Sequence, residues 1–146
     1  MTNSEADIGA TGPTFEWVVE RGKISEFAGA CLNESDVSGD AVAPPTFPQT
    51  TSFWQRRAGG GRPRLARPFD ARRLLHGEQE FEYARPLRAG DVLTGQTKLK
   101  DYYEKEGKRG GVMRFAVFET EFRDQDGNVV AYSRGTSIET AKPATS

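Results

Sequence analysis

Apolar and polar residues alternate over several stretches of this chain, and each such stretch predicts a strand with one buried face. Phe15, Trp17 and Val19 alternate with more polar neighbours, which predicts a first strand over residues 14–21. A second strand is predicted over residues 78–83. Its side chains divide by period two, with Gln79, Phe81 and Tyr83 on one face and Glu78, Glu80 and Glu82 on the other.

Three longer alternating stretches follow and predict a run of antiparallel strands at the end of the chain. They cover residues 92–103, 112–123 and 129–140. The segment between the first two, residues 106–111, is charged and rich in glycine. The segment between the last two, residues 124–128, contains the Asp-Gly pair that favours a tight hairpin turn.

Two segments instead show the spacing of an amphipathic helix. After Gly22, apolar residues recur at i, i+3, i+4 and i+7, which predicts a helix of about ten residues; they are Ile24, Phe27, Ala28 and Cys31. A second helix is predicted to begin at Thr46, with Pro48 in its first turn, and to end at Gly59. Its buried face would consist of Phe47, Thr50, Thr51 and Trp54. Residues 33–43 are predicted as a loop.

This order of elements predicts an α+β hot-dog fold, in which a curved antiparallel sheet wraps around the helix that begins at Thr46. We expect one domain over residues 14–140, with flexible tails at residues 1–13 and 141–146. A sheet of this length has an edge strand that needs cover. A second hot-dog module is therefore expected beside this one.

Composition narrows the class of protein. The chain has 146 residues, a net charge of −1 and a single cysteine, Cys31. No strong positive field attracts nucleic acid or an anionic membrane, and no apolar run is long enough to span a bilayer. The first residues lack the basic and apolar regions of a signal peptide, and one cysteine forms no internal disulfide. We expect a cytoplasmic protein.

Four blocks of the chain resemble one known family. LHGEQEF with RPLRAGD, VERGKISEFAGA, APPTFP, and YYEKEGKRGGVMRF with ETEFRDQDGNVVAYSRGTSIE resemble the MaoC-like dehydratases. The likeness is to their N-terminal, non-catalytic hot-dog half, the FAS1-like dehydratase domain, and it covers nearly all of the chain between Phe15 and Glu139.

The resemblance implies (R)-specific hydration of 2-enoyl thioesters, or dehydration of 3-hydroxyacyl thioesters. In catalytic members an Asp and a His five positions later act as general acid and base. The corresponding stretch here, CLNESDVSGDAVAPP, contains Asp36 and Asp40 but no histidine. The one histidine, His76, lies elsewhere, and we expect it to have a structural role. No residue of this chain is therefore assigned as catalytic.

The resemblance thus implies an accessory subunit of a heteromeric hydratase or dehydratase, in which a catalytic MaoC-like subunit, expected to be encoded nearby, supplies the Asp and His. No cofactor is expected, because the substrate is carried as a thioester of coenzyme A or acyl carrier protein. The alternative is a homodimeric hot-dog protein that binds or hydrolyses acyl thioesters. The second predicted helix lacks the Asp or Glu that hot-dog thioesterases commonly use, which disfavours hydrolysis.

Two sets of residues are candidates for substrate contact. Phe47, Phe53 and Trp54 could line an acyl pocket, although a plain core is the simpler interpretation. Between Asp40 and Asp70 there is no acidic residue, while arginines accumulate; they include Arg56, Arg57, Arg62 and Arg64. Guanidinium groups suit the phosphates of coenzyme A or an acidic carrier protein. A solvated loop is an equal interpretation. Neither a nucleic-acid site nor a metal site is predicted.

Overall fold

The computed structural model describes residues 5–33, 39–108 and 110–142. Its main feature is a five-stranded antiparallel sheet. The strands are β1 (Phe15–Val18), β2 (Leu74–Tyr83), β3 (Val92–Glu106), β4 (Val112–Arg123) and β5 (Val129–Glu139). They lie in the order β1-β3-β4-β5-β2, so β1 and β2 form the two edges. Together with the helices on one face, this sheet confirms the predicted α+β hot-dog fold.

The strand predictions are confirmed, with differences at the ends. β4 has the predicted bounds, whereas β1 is shorter than predicted because the first helix already begins at Arg21. β2 begins four residues earlier than predicted, at Leu74. There Leu74 pairs with Glu139, and the backbone N–H of Thr140 donates to the carbonyl of Arg73. Pairing with β5 therefore extends the strand back to Leu74, while Arg72 and Arg73 before it form a 3-10 turn.

One helix matches its prediction closely. Helix α1 (Arg21–Ala30) buries Ile24 and Ala28 and half-buries Phe27. Cys31, predicted on the same face, is instead exposed at the C-terminal cap. The helix ends one residue before the fourth position of the apolar repeat.

The predicted central helix is not one helix. Residues Phe47–Thr51 form a 3-10 turn, and only Ser52–Arg57 is α-helical (α2). The hydroxyls of Thr50 and Thr51 donate to the carbonyls three residues earlier, at 2.9 and 2.7 Å, and Pro48 has no N–H to donate. Both features favour the tighter turn. The buried residues of this segment all belong to the 3-10 turn; they are Phe47, Pro48 and Thr51.

The core lies on one face of the sheet, which we call the inner face. The side chains of Trp17, Leu93, Phe122 and Ala131 point to it and are buried. The ring of Phe47 stacks on Trp17 with the ring centroids 5.7 Å apart. The 3-10 turn and α1 thus fill the space that a longer central helix was predicted to occupy.

A second cluster on the inner face is covered by the loop between α2 and β2. Leu99, Tyr102, Ala116 and Phe118 form this cluster, against which Leu65 and Phe69 of the loop are packed. The loop is tied down by Arg114, which is 3% exposed and donates to the carbonyls of Arg67 and Pro68. Its guanidinium also pairs with buried Glu139 at 3.2 Å. The segment rich in Arg and Pro is therefore a lid over the sheet.

Residues 9–12, which were predicted to belong to a flexible tail, instead pair with the sheet, whereas residues 1–4 lie outside the described residues. Gly9 and Gly12 donate backbone hydrogen bonds to the carbonyls of Leu99 and Thr97, both at 2.8 Å. Thr11 forms a bridge to Lys98. This stretch therefore lies along β3. A Cβ at Gly12 would come within 2.5 Å of the carbonyl oxygen of Gly61, so the close approach there requires glycine.

The RPLRAGD block that carries much of the family resemblance has a structural role here. The guanidinium of Arg85 donates two hydrogen bonds to the carboxylate of Asp91, at 2.8 and 3.2 Å. The same carboxylate accepts from the backbone N–H of Arg88, and Leu87 between them is buried. These contacts fix the turn that connects β2 to β3.

Candidate functional site

A polar cavity lies on the inner face between the sheet and the 3-10 turn. Its volume is about 120 Å³. Its walls include six polar side chains from the sheet, α2 and the loop after it; they are Gln55, Arg62, Gln79, Thr97, Thr120 and Ser133. The hydroxyls of Thr97 and Thr120 lie 2.7 Å apart, and the amide of Gln79 donates to Ser133 at 2.9 Å. The cavity is thus lined with groups that can still donate or accept towards a ligand.

Arg62 closes one side of this cavity. Its guanidinium donates to the hydroxyl of Ser137 at 3.0 Å and lies 4.6 Å from the centre of the Phe118 ring. The residue as a whole is exposed, but its charged end is packed against the sheet, and burial lowers the pKa of the Arg62 guanidinium. This arginine, predicted to contact phosphate or a carrier protein, points towards the inner face.

An apolar groove adjoins the polar cavity on the other side of Arg62. The groove measures about 440 Å³ and is open to solvent. Its walls come from the loop after α2 and from the sheet; they include Pro63, Leu65, Pro68, Phe69, Leu74 and Phe118. Arg64, also predicted to contact phosphate, lines this groove. Arg62 and Phe118 are shared by the groove and the polar cavity.

Four other predicted contact residues meet at α2, away from Arg62. The guanidinium of Arg56 lies 5.0 Å from the centre of the Phe53 ring, and that of Arg57 lies 5.7 Å from the Trp54 ring. Phe53 is 62% exposed. Phe53, Trp54 and Arg57 line a depression of about 410 Å³ that also contacts Lys23 of α1. We call these four residues the α2 cluster.

Phe47 lines neither of the two spaces beside Arg62 and is not part of the α2 cluster. It is fully buried between Trp17 and Phe27, with both ring centroids 5.7 Å from its own. The structure therefore separates the predicted acyl-pocket residues, with Phe47 in the core, Phe53 at the surface and Trp54 half-buried against the core. An acyl-pocket role for them stays a prediction.

The potential acid–base groups do not meet in the described part of the chain. His76 is exposed on edge strand β2, opposite Ser137, at an irregularity between His76 and Glu78. Within residues 5–33, 39–108 and 110–142 its side chain makes neither a hydrogen bond nor an ion pair. Asp40 is exposed, and Arg88 donates to its backbone carbonyl at 3.3 Å. Asp36 lies outside the described residues.

Tyr83 connects edge strand β2 to the segment that precedes the 3-10 turn. Its hydroxyl donates to the carbonyl of Pro45 at 2.5 Å, and burial raises the pKa of Tyr83 to about 12. It therefore stays a hydrogen-bond donor throughout the physiological pH range. Tyr83 and the half-buried Phe81 lie on the inner face of β2, and the free edge of the strand is left without a neighbouring strand within the described ranges.

The polar wall of the inner face is the part of the site that sequence reasoning missed. Thr97 lies between Gly95 and Leu99 in the inward positions of β3, and Thr120 lies between Phe118 and Phe122 in those of β4. A polar residue at an inward position of an alternating strand is the signal that could have identified them. Together with Gln79 and Ser133 they place hydroxyl and amide groups where apolar side chains are expected.

A comparison with known protein families identifies the family of this chain. Residues 6–133 match the family described as "FAS1-like, dehydratase domain region". The chain belongs to this family. The resemblance to MaoC-like dehydratases drawn from the four sequence blocks is thereby confirmed.

Curated relatives of this FAS1-like dehydratase domain have uninformative names. A UPF0336 protein of Saccharopolyspora erythraea is 30% identical over 137 residues, which cover 86% of this chain and 83% of that protein. A UPF0336 protein of Thermobifida fusca is 38% identical over 94 residues, covering 57% of this chain and 60% of that protein. The match to the Thermobifida protein thus spans less than two thirds of its length.

Solved structures share the fold of this domain. A MaoC-like dehydratase from Phytophthora capsici superposes with a TM-score of 0.73 at 21% identity, covering 99% of this chain and 52% of that chain. A chain of the ChsH1-ChsH2 complex from Mycobacterium tuberculosis superposes with a TM-score of 0.68 at 18% identity, covering 97% of this chain and 89% of that chain. A chain of the HadBC (3R-hydroxyacyl-ACP dehydratase) complex of the same organism superposes with a TM-score of 0.66 at 20% identity, covering 90% of this chain and 96% of that chain. At these identities the likeness concerns the fold alone.

No helix within the described ranges is long and apolar enough to cross a membrane. Those ranges also contain no group of three or more His, Cys, Asp or Glu side chains that could hold a metal ion.

Proposed function

We propose that this chain is the accessory, non-catalytic subunit of a heteromeric MaoC-like hydratase or dehydratase. The reaction is the reversible, (R)-specific addition of water to the double bond of a 2-enoyl thioester carried on coenzyme A or acyl carrier protein. The catalytic Asp and His belong to a second hot-dog subunit, encoded near this one. The thioester itself acidifies the reacting Cα–H, so the reaction needs no cofactor.

The position of His76 is the observation that carries this proposal. A general acid–base pair needs an imidazole and a carboxylate that both reach the reacting carbons. His76 is exposed on an edge strand and has no ion-pair partner in the part of the chain that the structure describes. Asp40 is an exposed loop residue that precedes the buried Ala41. The described residues therefore offer no proton-transfer pair of their own.

The free edge of β2 supports a second hot-dog subunit as the missing partner. An unpaired strand edge offers backbone donors and acceptors to another strand, and proteins usually cover such edges. Leu74 and Leu75 on this strand are 42% and 48% exposed. Two of the structures with the same fold are described as complexes, HadBC and ChsH1-ChsH2. A heteromeric assembly is consistent with both observations.

The test is to assay hydration of crotonyl-CoA by the isolated chain and by the chain co-expressed with the hot-dog protein encoded beside it. We expect no turnover by either polypeptide alone and turnover by the co-purified complex. His76→Ala in this chain should leave the turnover of the complex unchanged. A matched variant of the histidine of the partner should abolish it.

Two results would overturn the proposal. One is turnover by the isolated chain that His76→Ala removes, which would make this subunit catalytic. The other is a stable homodimer, measured by light scattering, that is indifferent to the neighbouring gene product. That outcome would favour a homodimeric acyl-thioester-binding protein or a thioesterase.

A further inference from the structure

Arg62 differs from the other arginines packed against the sheet because its charge is not balanced. Arg114 pairs with Glu139 at 3.2 Å, and Arg134 pairs with Glu119 at 2.5 Å. Arg62 donates to the neutral hydroxyl of Ser137 and lies over the Phe118 ring, and no ion pair within the described residues includes it. Removing a cation from water without supplying an anion costs free energy. A bound anion would recover that cost.

Of the two spaces beside Arg62, one is polar and the other is apolar. This difference indicates what kind of ligand would fit both. On one side is the polar cavity of about 120 Å³, whose hydroxyl and amide groups come from Gln79, Thr97, Thr120 and Ser133. On the other side is the open apolar groove of about 440 Å³ beneath Leu65 and Phe69. A ligand that satisfies both sides has a small polar head and an apolar chain, joined close to the guanidinium.

We propose that this site binds the carboxylate of an aliphatic acid, with the carboxylate at Arg62 and the chain in the apolar groove. Arg62 is the ion-pair partner, because a guanidinium matches a carboxylate through paired N–H donors. The hydroxyl of Ser137, which accepts from the guanidinium at 3.0 Å, lies beside the proposed carboxylate position. Leu65, Phe69 and Leu74 contact the chain. Every residue named for this site belongs to this chain.

The carboxylate has two potential sources, and they share this chemistry. It belongs either to a free fatty acid or to the far end of an acyl group whose other end is a thioester. Octanoate represents the first source, and adipoyl-CoA, compared with hexanoyl-CoA, represents the second. The two CoA thioesters have the same number of acyl carbons, so a preference for adipoyl-CoA reports the terminal carboxylate.

The test is calorimetric titration of the full chain with octanoate and with the two CoA thioesters. We expect Arg62→Gln to weaken binding of the preferred carboxylate by about tenfold or more, the size of one charge-assisted contact. Arg62→Lys should recover part of the loss. The control is Arg123→Gln, which removes an arginine paired with Glu121 on the opposite face of the sheet and should leave binding unchanged. Octanol, which has the chain without the charge, should bind more weakly than octanoate.

Chemical-shift mapping on the wild-type chain provides a test that does not require a folded variant. Octanoate or adipoyl-CoA should shift the backbone amides of Arg62, Phe118 and Ser137 in preference to those of the α2 cluster. The inference fails if neither carboxylate binds, if Arg62→Gln binds as tightly as wild type, or if the shifts concentrate elsewhere. Equal binding of inorganic phosphate would overturn the role of the groove. None of these outcomes bears on turnover by the complex, which tests the proposed function separately.

Discussion

Glu119 is a buried carboxylate on the outer face of the sheet, where its side chain is 4% exposed. Three cations surround it, with Lys98 at 3.1 Å and Lys100 and Arg134 at 2.5 Å. Burial alone would raise the pKa of Glu119, but the hydrogen bonds from these cations outweigh it and lower the pKa from 4.5 to about 2. Arg134 also pairs with Glu82 at 2.7 Å and with Glu80, so this group joins β3, β4, β5 and β2.

We expect Glu119→Gln to destabilise the fold at neutral pH and to remove part of its sensitivity to acid. A folded-state pKa below the unfolded one adds stability at pH values above 4.5, which is lost as the pH falls from 4.5 towards 2. At pH 7 the variant should therefore unfold about 1–3 kcal/mol more easily than wild type. The difference should shrink as the pH falls through that window.

Urea unfolding at a series of pH values between 7 and 2 measures this difference directly. Glu78→Gln is the matched control, because Glu78 is exposed on β2 and has no ion-pair partner among the described residues. Its free energy of unfolding should follow that of wild type at every pH. A Glu119→Gln deficit that stays constant from pH 7 to pH 2 would show that shape, and not charge, accounts for the loss.

At the scale of elements, the alternation of apolar and polar residues predicted the strands. It did not predict the positions of segments that depend on contacts distant in sequence. The alternation in residues 112–123 predicted β4 with its observed bounds, because half of its side chains meet a core. The same logic could not show that Leu65 and Phe69 cover the inner face. Their position depends on Arg114, which is distant in sequence and holds the carbonyls of Arg67 and Pro68.

The candidate site shows the same division between local and long-range information. The accumulation of arginines after Asp40 predicted a phosphate or carrier-protein contact in this segment, and that role stays a prediction. Sequence alone did not indicate which arginine turns inward, because that depends on Ser137 and Phe118 at the far end of the chain. Arg56 and Arg57 lie instead over the exposed Phe53 ring and the half-buried Trp54 ring of α2, so one run of arginines contributes to two separate surfaces.

β2 is the element on which assembly with a second subunit depends in the proposed function. On its outer face the apolar Leu75, 48% exposed, precedes Glu78, Glu80 and Glu82. We expect Leu75→Glu to weaken the association with the catalytic subunit by about tenfold or more, since it adds a desolvated charge to a strand edge. Sedimentation or pull-down of the co-expressed pair measures the loss.

Leu32→Glu provides the control for this experiment. Leu32 is 91% exposed and follows α1, so the same substitution is made away from β2. Association should be unchanged in that variant. If Leu32→Glu disrupts the complex and Leu75→Glu does not, the partner covers the end of α1, and the pairing of β2 is rejected.

At the scale of the whole molecule, the proposed function would place the α2 cluster and the Arg62 site at different parts of one thioester substrate. The α2 cluster combines Arg56 and Arg57 with two aromatic rings, and Lys23 lies beside it, which suits phosphate groups or an acidic carrier surface. The Arg62 site is recessed beside an apolar groove, which suits part of an acyl chain. A substrate handle and its acyl group would thus contact different arginines.

This division predicts that the α2 cluster affects the apparent affinity for the phosphate-bearing handle and leaves the chemical step unchanged. In the active complex, the double variant Arg56→Ser and Arg57→Ser should raise KM for crotonyl-CoA by about tenfold with little change in kcat, because it removes uniform binding. Raising the salt concentration should reduce the difference from wild type, since exposed charge pairs are screened. The crotonyl thioester of N-acetylcysteamine has no phosphates, and its kcat/KM should be the same in both proteins. A comparable loss with both substrates, or a fall in kcat alone, would mean that Arg56 and Arg57 hold the subunits in position and do not contact the handle.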